Sequence, residues 1–158
     1  MASYKSGKIL IITFGFLLVL ITLSLIILKP WPTSETPTSA SLEINGQTLQ
    51  IEKVETPWQH YLGLSNRESL CADCGMLFIF ASQEPRQFVM RNMHFPLDII
   101  FIKDDTIVKI AKNLAPEGSE PQNLYSSDSP VDKVLEVNGG YSDTYNLRVG
   151  QKIILPNN

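Results

Sequence analysis

Most of the signatures that would announce a function are missing from this sequence. It contains no phosphate-binding loop, no Gly-x-Gly-x-x-Gly, no Gly-x-Ser-x-Gly and no His-Glu-x-x-His. The motif-level case for a nucleotide site, a nucleophile elbow or a zincin centre is therefore absent. Cysteine is scarce: the two residues present supply half of a four-ligand zinc site. Nor is there a Lys/Arg stripe. From Ser41 onward, 10 Lys or Arg stand against 15 Asp or Glu, a formal charge of −5. An acidic surface is a poor counter-ion for a phosphate backbone, so nucleic acid is not an expected partner. No pair of carboxylates has a pattern that specifies glycoside hydrolysis. Internal repeats are absent too.

What the sequence does have is one long apolar run. Ile9 to Leu28 spans 20 residues without a formal charge, and its polar members are Thr13, Thr22 and Ser24. At about 1.5 Å per residue, such a helix matches a hydrocarbon thickness of roughly 30 Å. Hydroxyls can bond back to the helix's own carbonyls, so they are tolerable there. Lys5 and Lys8 precede the run and favour a cytoplasmic N-terminus, although Lys29 follows it. The reading is a single transmembrane helix acting as an uncleaved signal-anchor. The alternative is a cleaved signal peptide and a secreted domain. Residues 1–8 are then a short cytoplasmic tail, 9–28 the anchor, and 29–40 a Pro/Ser/Thr-rich extended linker. Residues 41–158 form the extracytoplasmic domain, long enough to bury its own core.

Within that domain, Leu42 to Ile44 and Gln47 to Val54 flank Asn45-Gly46, which predicts a hairpin with a type I′ turn. Leu42 then faces Leu49, and Ile44, Leu49 and Ile51 share one side. Thr56-Pro57 predicts a helix over 57–62, stopped by Gly63. Gly75 to Phe80 and Gln87 to Met93 read as two strands separated by a polar loop, Ala81 to Arg86. Leu97 to Ile102 and Thr106 to Leu114 read as a hairpin turning at Lys103-Asp104-Asp105. Ala115 to Pro130 reads as a long loop and Lys133 to Val137 as a strand. A helical turn at Ser142 to Asn146 and a last strand, Lys152 to Leu155, complete the chain. The expected fold is α+β but mainly β: a small barrel-like or strongly curled sheet with one or two short helices.

Several blocks occur in a recognisable order. They are Thr56 to Gly63-Leu64 with Arg67, then Gly75-Met76-Leu77-Phe78-x-Phe80, then Phe88-x-Met90-Arg91-Asn92, then Pro96 to Ile102. Val134-Leu135-Glu136-Val137, Gly139-Gly140 and Leu147-x-Val149-Gly150 follow. Across Leu42 to Leu155 the chain resembles domain-of-unknown-function family 192. It departs from the usual pattern with Val89 in place of Trp, Arg91-Asn92-Met93 in place of Lys-Asn-Thr, and Leu64-Ser65 in place of Leu-Met. The resemblance implies a small, mainly β domain, often exported or membrane-anchored, with no established activity.

The candidate residues follow from chemistry. Asp98 shares a face with Ile100 and Ile102 in an extended run, so its carboxylate needs a partner. Arg67, Arg91 and Asn92 are the expected partners, and Glu136 is a second acid among apolar residues. Three functions stand beside each other. One is a non-catalytic module binding a small ligand or an envelope protein near Arg67, Arg91, Asn92 and Asp98. Another is a hydrolase or transferase using Asp98 and Glu136 with an arginine clamp. The third is a copper or thiol-redox accessory protein. Met90, Met93 and His94 are soft-metal candidates, although a strand would put the two methionines on opposite faces. Cys71-x-x-Cys74 reads first as a local disulfide outside the membrane. No cofactor is implied. His60 and the Trp58/Tyr61 pair on the short helix read as exposed and as packed on the sheet, respectively.

Overall fold

The computed structural model of the chain describes residues 36–154. The expected anchor at 9–28 and linker residues 29–35 lie outside the described residues, as does Leu155. Among the described residues, no helix is long and apolar enough to cross a membrane.

Local chemistry sets the first elements. Strands β1 (Thr38–Ile44) and β2 (Gln47–Val54) pair antiparallel, with Leu42 opposite Leu49 and Ile44 opposite Gln47. The turn requires positive φ at both central residues, and Asn45 (φ 49°) and Gly46 (φ 80°) provide it. Helix α1 (Pro57–Leu62) starts with a capping box. The Thr56 hydroxyl accepts from the Gln59 amide at 3.3 Å, and the Gln59 side-chain oxygen accepts from the Thr56 amide at 3.0 Å. Gly63 ends it at φ 50°.

The helix carries the chain across to β3 (Cys74–Phe88), which runs parallel to β2. Here the structure corrects the sequence reading. Residues 81–86 are not a loop between two strands, because β3 continues through them, and 89–93 are not strand. The polar stretch finds its partner in β6 (Tyr125–Asn138), which begins well inside the expected 115–130 loop. Glu84 pairs with Val131 and Phe88 with Tyr125, across register shifts on either side of the Glu84–Pro85 pairs. A solvent-facing two-stranded arm needs backbone partners more than apolar side chains, which is why polarity misled here. Ser127 helps by accepting from the Arg86 amide at 3.0 Å and donating to the Ser129 carbonyl at 2.6 Å.

Strands β4 (Leu97–Lys103) and β5 (Thr106–Leu114) form the expected hairpin. Their turn is tighter than expected: Lys103 pairs with Thr106, and Asp104 takes φ 54°. The helical turn is α2 (Tyr141–Thr144), one residue earlier than expected. The six strands lie in the order β1-β2-β3-β6-β4-β5. The domain is thus mainly β with short helices, but the expected barrel does not close, since β1 and β5 do not pair with each other. In place of a last strand, the C-terminal segment makes two single bridges, Lys152 to Thr106 and Ile154 to Glu43.

Both faces of the sheet are covered. One carries Leu42, Leu49, Ile51, Leu77, Ile100, Leu135 and Val137, and the other Met76, Phe78, Met90, Met93, Ile99, Phe101 and Val134. All six residues from Leu97 to Ile102 are buried, which explains why that strand reads as an unbroken apolar run around one acid. Gly75 sits where β3 passes close to β6. A Cβ there would come within 2.9 Å of the Glu136 carbonyl oxygen.

Candidate functional site

Register alone separates the two buried acids. Asp98 pairs across to Val137, whereas Glu136 pairs across to Ile99. Directly opposed residues share a face and sequence neighbours alternate, so Asp98 and Glu136 project to opposite sides of the sheet. The structure does not bring them together as an acid/base pair.

Asp98 is fully buried, as its pattern predicts, but its partners are not arginines. Its carboxylate accepts from the backbone amides of Asn113 at 2.7 Å, Gly140 at 3.0 Å and Ser142 at 2.7 Å. It thereby ties β4 to the end of β5 and to the start of α2. Three amide donors compensate a buried carboxylate without any counter-charge. This is a structural clasp.

Glu136 has different surroundings. Glu52, Met76, Glu136 and Ile99 form one row across four strands. Arg67 reaches this row but spends its fork on Glu52, with hydrogen bonds of 2.6 and 2.8 Å. The pair holds the Glu52 carboxyl below its usual range and the Arg67 guanidinium above its own, in each case chiefly through that bond. Glu136 has 5% of its surface exposed and makes no side-chain hydrogen bond to protein among the described residues, but its carboxyl oxygens are not sealed from solvent. Burial pushes its carboxyl up to about 8, against a smaller downward pull from Arg67. It is therefore mostly protonated at neutral pH.

Glu136 lies in a cleft of about 410 Å³ between α1, β3 and the segment after it. Phe78, Phe80, Phe88 and Met93 give the cleft apolar walls, with Arg86 and Arg91 among its lining. Phe88 meets Phe78 edge-on at 5.0 Å. The His60 ring lies 4.6 Å from Phe80 and its Nε2 is 3.0 Å from the Val54 carbonyl, so His60 is a half-buried wall residue rather than a solvated one. Arg91 donates to the Tyr61 carbonyl at 2.8 Å and rests 4.2 Å from the centre of that ring. Arg86 rests 4.1 Å from the centre of Phe80. Trp58 and Tyr61 do not pack on the sheet. Each is 60% exposed, and they stack on each other at 5.7 Å.

Of the expected site residues, Arg91 and Glu136 line this cleft and Arg67 stands near Glu136. Asn92 serves as a turn at φ 52°, its amide bonded to the Gly118 carbonyl and its own carbonyl to the Asn66 amide. Met90 and Met93 are buried in the same cluster rather than on opposite faces, because residues 89–96 are not a strand. His94 is exposed, 3.4 Å from Glu68. Among the described residues no three His, Cys, Asp or Glu are grouped to hold a metal. Cys71 and Cys74 are joined as a disulfide. Arg86 is absent from the expected site because 81–86 reads as a loop, whereas Phe80 and Phe88 read as strand residues without a site role. Carrying the alternation of Phe78 and Phe80 onward reaches Arg86 and Phe88.

Fold and cleft together define a small, mainly β domain built on one open mixed sheet with a single acid beneath an aromatic cleft. Residues 40–155 match the family model DUF192, described as "Uncharacterized ACR, COG1430", and the chain belongs to that family. Two solved structures are similar. A candidate transcription regulator from Sinorhizobium meliloti 1021 is 31% identical, with a TM-score of 0.68 over 77% of this chain and 96% of that one. A protein of unknown function from Novosphingobium aromaticivorans DSM 12444 is 28% identical, with a TM-score of 0.68 over 79% of this chain and 90% of that one. No curated protein matches the sequence.

Proposed function

We propose that this chain is a small-ligand binding module, held at the outer face of a membrane by residues 9–28. The observation that carries the binding reading is Glu136, a buried carboxyl that makes no side-chain hydrogen bond to protein among the described residues and faces an open cleft. A concave aromatic site with one polar group at its base is where a small molecule binds. Catalysis by paired carboxylates has no support, since Asp98 is on the other face and fully engaged by backbone amides. The membrane placement draws its support from the 20 uncharged residues and the lysines before them. The Cys71–Cys74 disulfide fits an oxidising compartment. An envelope-protein partner has one observation in its favour. Trp58, Tyr61, Leu62 and Val89 are exposed apolar residues, and the last three also line the cleft.

The experiment is a small-molecule thermal-shift screen on the full chain, repeated with Gln87→Trp. Gln87 is exposed and lines the cleft, so the indole obstructs it without entering the core. A ligand whose stabilisation survives that change binds elsewhere and defeats the proposal. A reporter fused after Asn158 is expected to be active outside the cytoplasm, and cytoplasmic activity would reverse the placement.

A further inference from the structure

The nature of the ligand is written in the charge of the cleft. The 41–158 domain carries a formal charge of −5, yet the cleft is lined by two guanidinium groups and by one acid that is mostly neutral. Arg91 meets no carboxylate among the described residues; its polar contact is the Tyr61 carbonyl. The one carboxylate near Arg86 is Glu84, at 3.6 Å and largely exposed. Arg86 also has a buried Nε without an acceptor among the described residues. Arg86 spends Nη2 on the Ser82 carbonyl and hydroxyl, at 2.7 and 3.4 Å, and Arg91 spends Nη2 on the Tyr61 carbonyl; the other N–H groups of each stacked fork remain for an anion.

The walls restrict the rest of the molecule. Phe78, Phe80 and Phe88 present apolar surface, and about 410 Å³ suits a single ring or a short branched chain. Glu136 supplies one polar contact below them. Because it is not an anion at neutral pH, it neither cancels the arginines nor attracts a cation.

Resting on the small-ligand reading above, we propose that the cleft binds small organic carboxylates. Arg86 and Arg91 hold the acid group, and an aromatic or branched apolar body lies against Phe78, Phe80 and Phe88. An amine of the same shape meets two like charges. A neutral analogue leaves the guanidinium edges without an anion, and inorganic phosphate leaves the apolar walls wet.

The test uses the full chain in lipid nanodiscs, with empty nanodiscs to subtract partitioning into lipid. Fluorine NMR follows titrations of para-fluorobenzoate, para-fluorobenzyl alcohol and para-fluorobenzylamine. Inorganic phosphate serves as competitor. The carboxylate is expected to bind saturably and about tenfold more tightly than the alcohol, the amine not at all. Arg86→Gln and Arg91→Gln should each weaken carboxylate binding about tenfold, whereas Arg148→Gln, an exposed position outside the cleft, should not. If alcohol or amine binds as well as the acid, or if both variants bind normally, the carboxylate assignment falls while the cleft survives as a ligand site. Displacement by phosphate at equal concentration removes the apolar-body requirement and overturns the assignment as well. Absence of binding by every probe, together with no hit in the thermal-shift screen, brings down both readings.

Discussion

Arg67 closes on Glu52 through two hydrogen bonds, at 2.6 and 2.8 Å, and leaves Glu136 without a direct partner in the same cross-strand row. A bidentate carboxylate is a better use of the guanidinium fork than a longer reach to a second acid. The consequence is that one acid of the row is charged and the other stays protonated, and the two respond oppositely to pH.

The protonated acid makes a stability prediction. Glu136 titrates near 8 in the fold, raised from 4.5. Below the lower value both folded and unfolded chains hold the proton, and the full stability is present. As pH rises through that window the unfolded chain releases its proton first, so stability falls until the folded carboxyl also ionises. Glu136→Gln should flatten this loss, matching the parent at about pH 5 and exceeding it by on the order of 3 kcal/mol near pH 9. Denaturant midpoints measured across that range decide it, and an unchanged slope would show that Glu136 does not hold its proton.

Freeing Arg67 should pull on the same group. In Glu52→Gln the guanidinium loses its charged partner and can turn to Glu136, whose titration then moves down. Arg67→Gln removes the downward pull of the guanidinium, so the midpoint moves up. Carboxyl titration by carbon NMR on glutamate-labelled chain reads both shifts. Shifts of the same sign would refute the arrangement.

Asp98 is expected to matter for folding rather than for binding. Asp98→Ala leaves three amides without their acceptor, the buried one of Ser142 and the half-buried ones of Asn113 and Gly140. The cost should be about 3–5 kcal/mol, with Asp98→Asn milder because one acceptor oxygen remains. Chemical denaturation measures this, and an unaltered midpoint in the alanine variant would contradict the clasp.

Reduction of the disulfide should have a modest effect. Cys71 and Cys74 close a loop with a sequence separation of 3, and closing so short a loop removes little unfolded-state entropy. The expected loss on reduction is about 2 kcal/mol, read as a small fall in melting temperature. Global unfolding under reductant would assign the bond a larger role.

The close passage at Gly75 predicts intolerance. An added methyl meets the Glu136 carbonyl at 2.9 Å and Val137 at 3.1 Å, both within the packed centre of the sheet. Gly75→Ala should cost about 1–3 kcal/mol. A neutral result in a denaturation series would mean that β3 and β6 can part without penalty.

Sequence by itself determined the elements whose causes are local. Asn45-Gly46 dictated its hairpin, Thr56-Pro57 and Gly63 bounded their helix, and alternation placed Asp98 on the face of Ile100 and Ile102. Tertiary structure decided everything that depends on which distant groups meet. It paired polar residues 84–88 with 125–131, gave Asp98 amides in place of arginines, sent Arg67 to Glu52, and set Glu136 under an aromatic cleft. Hydrogen bonds between remote backbones leave no periodicity in either segment. A buried acid looks the same in sequence whether three amides answer it or nothing does.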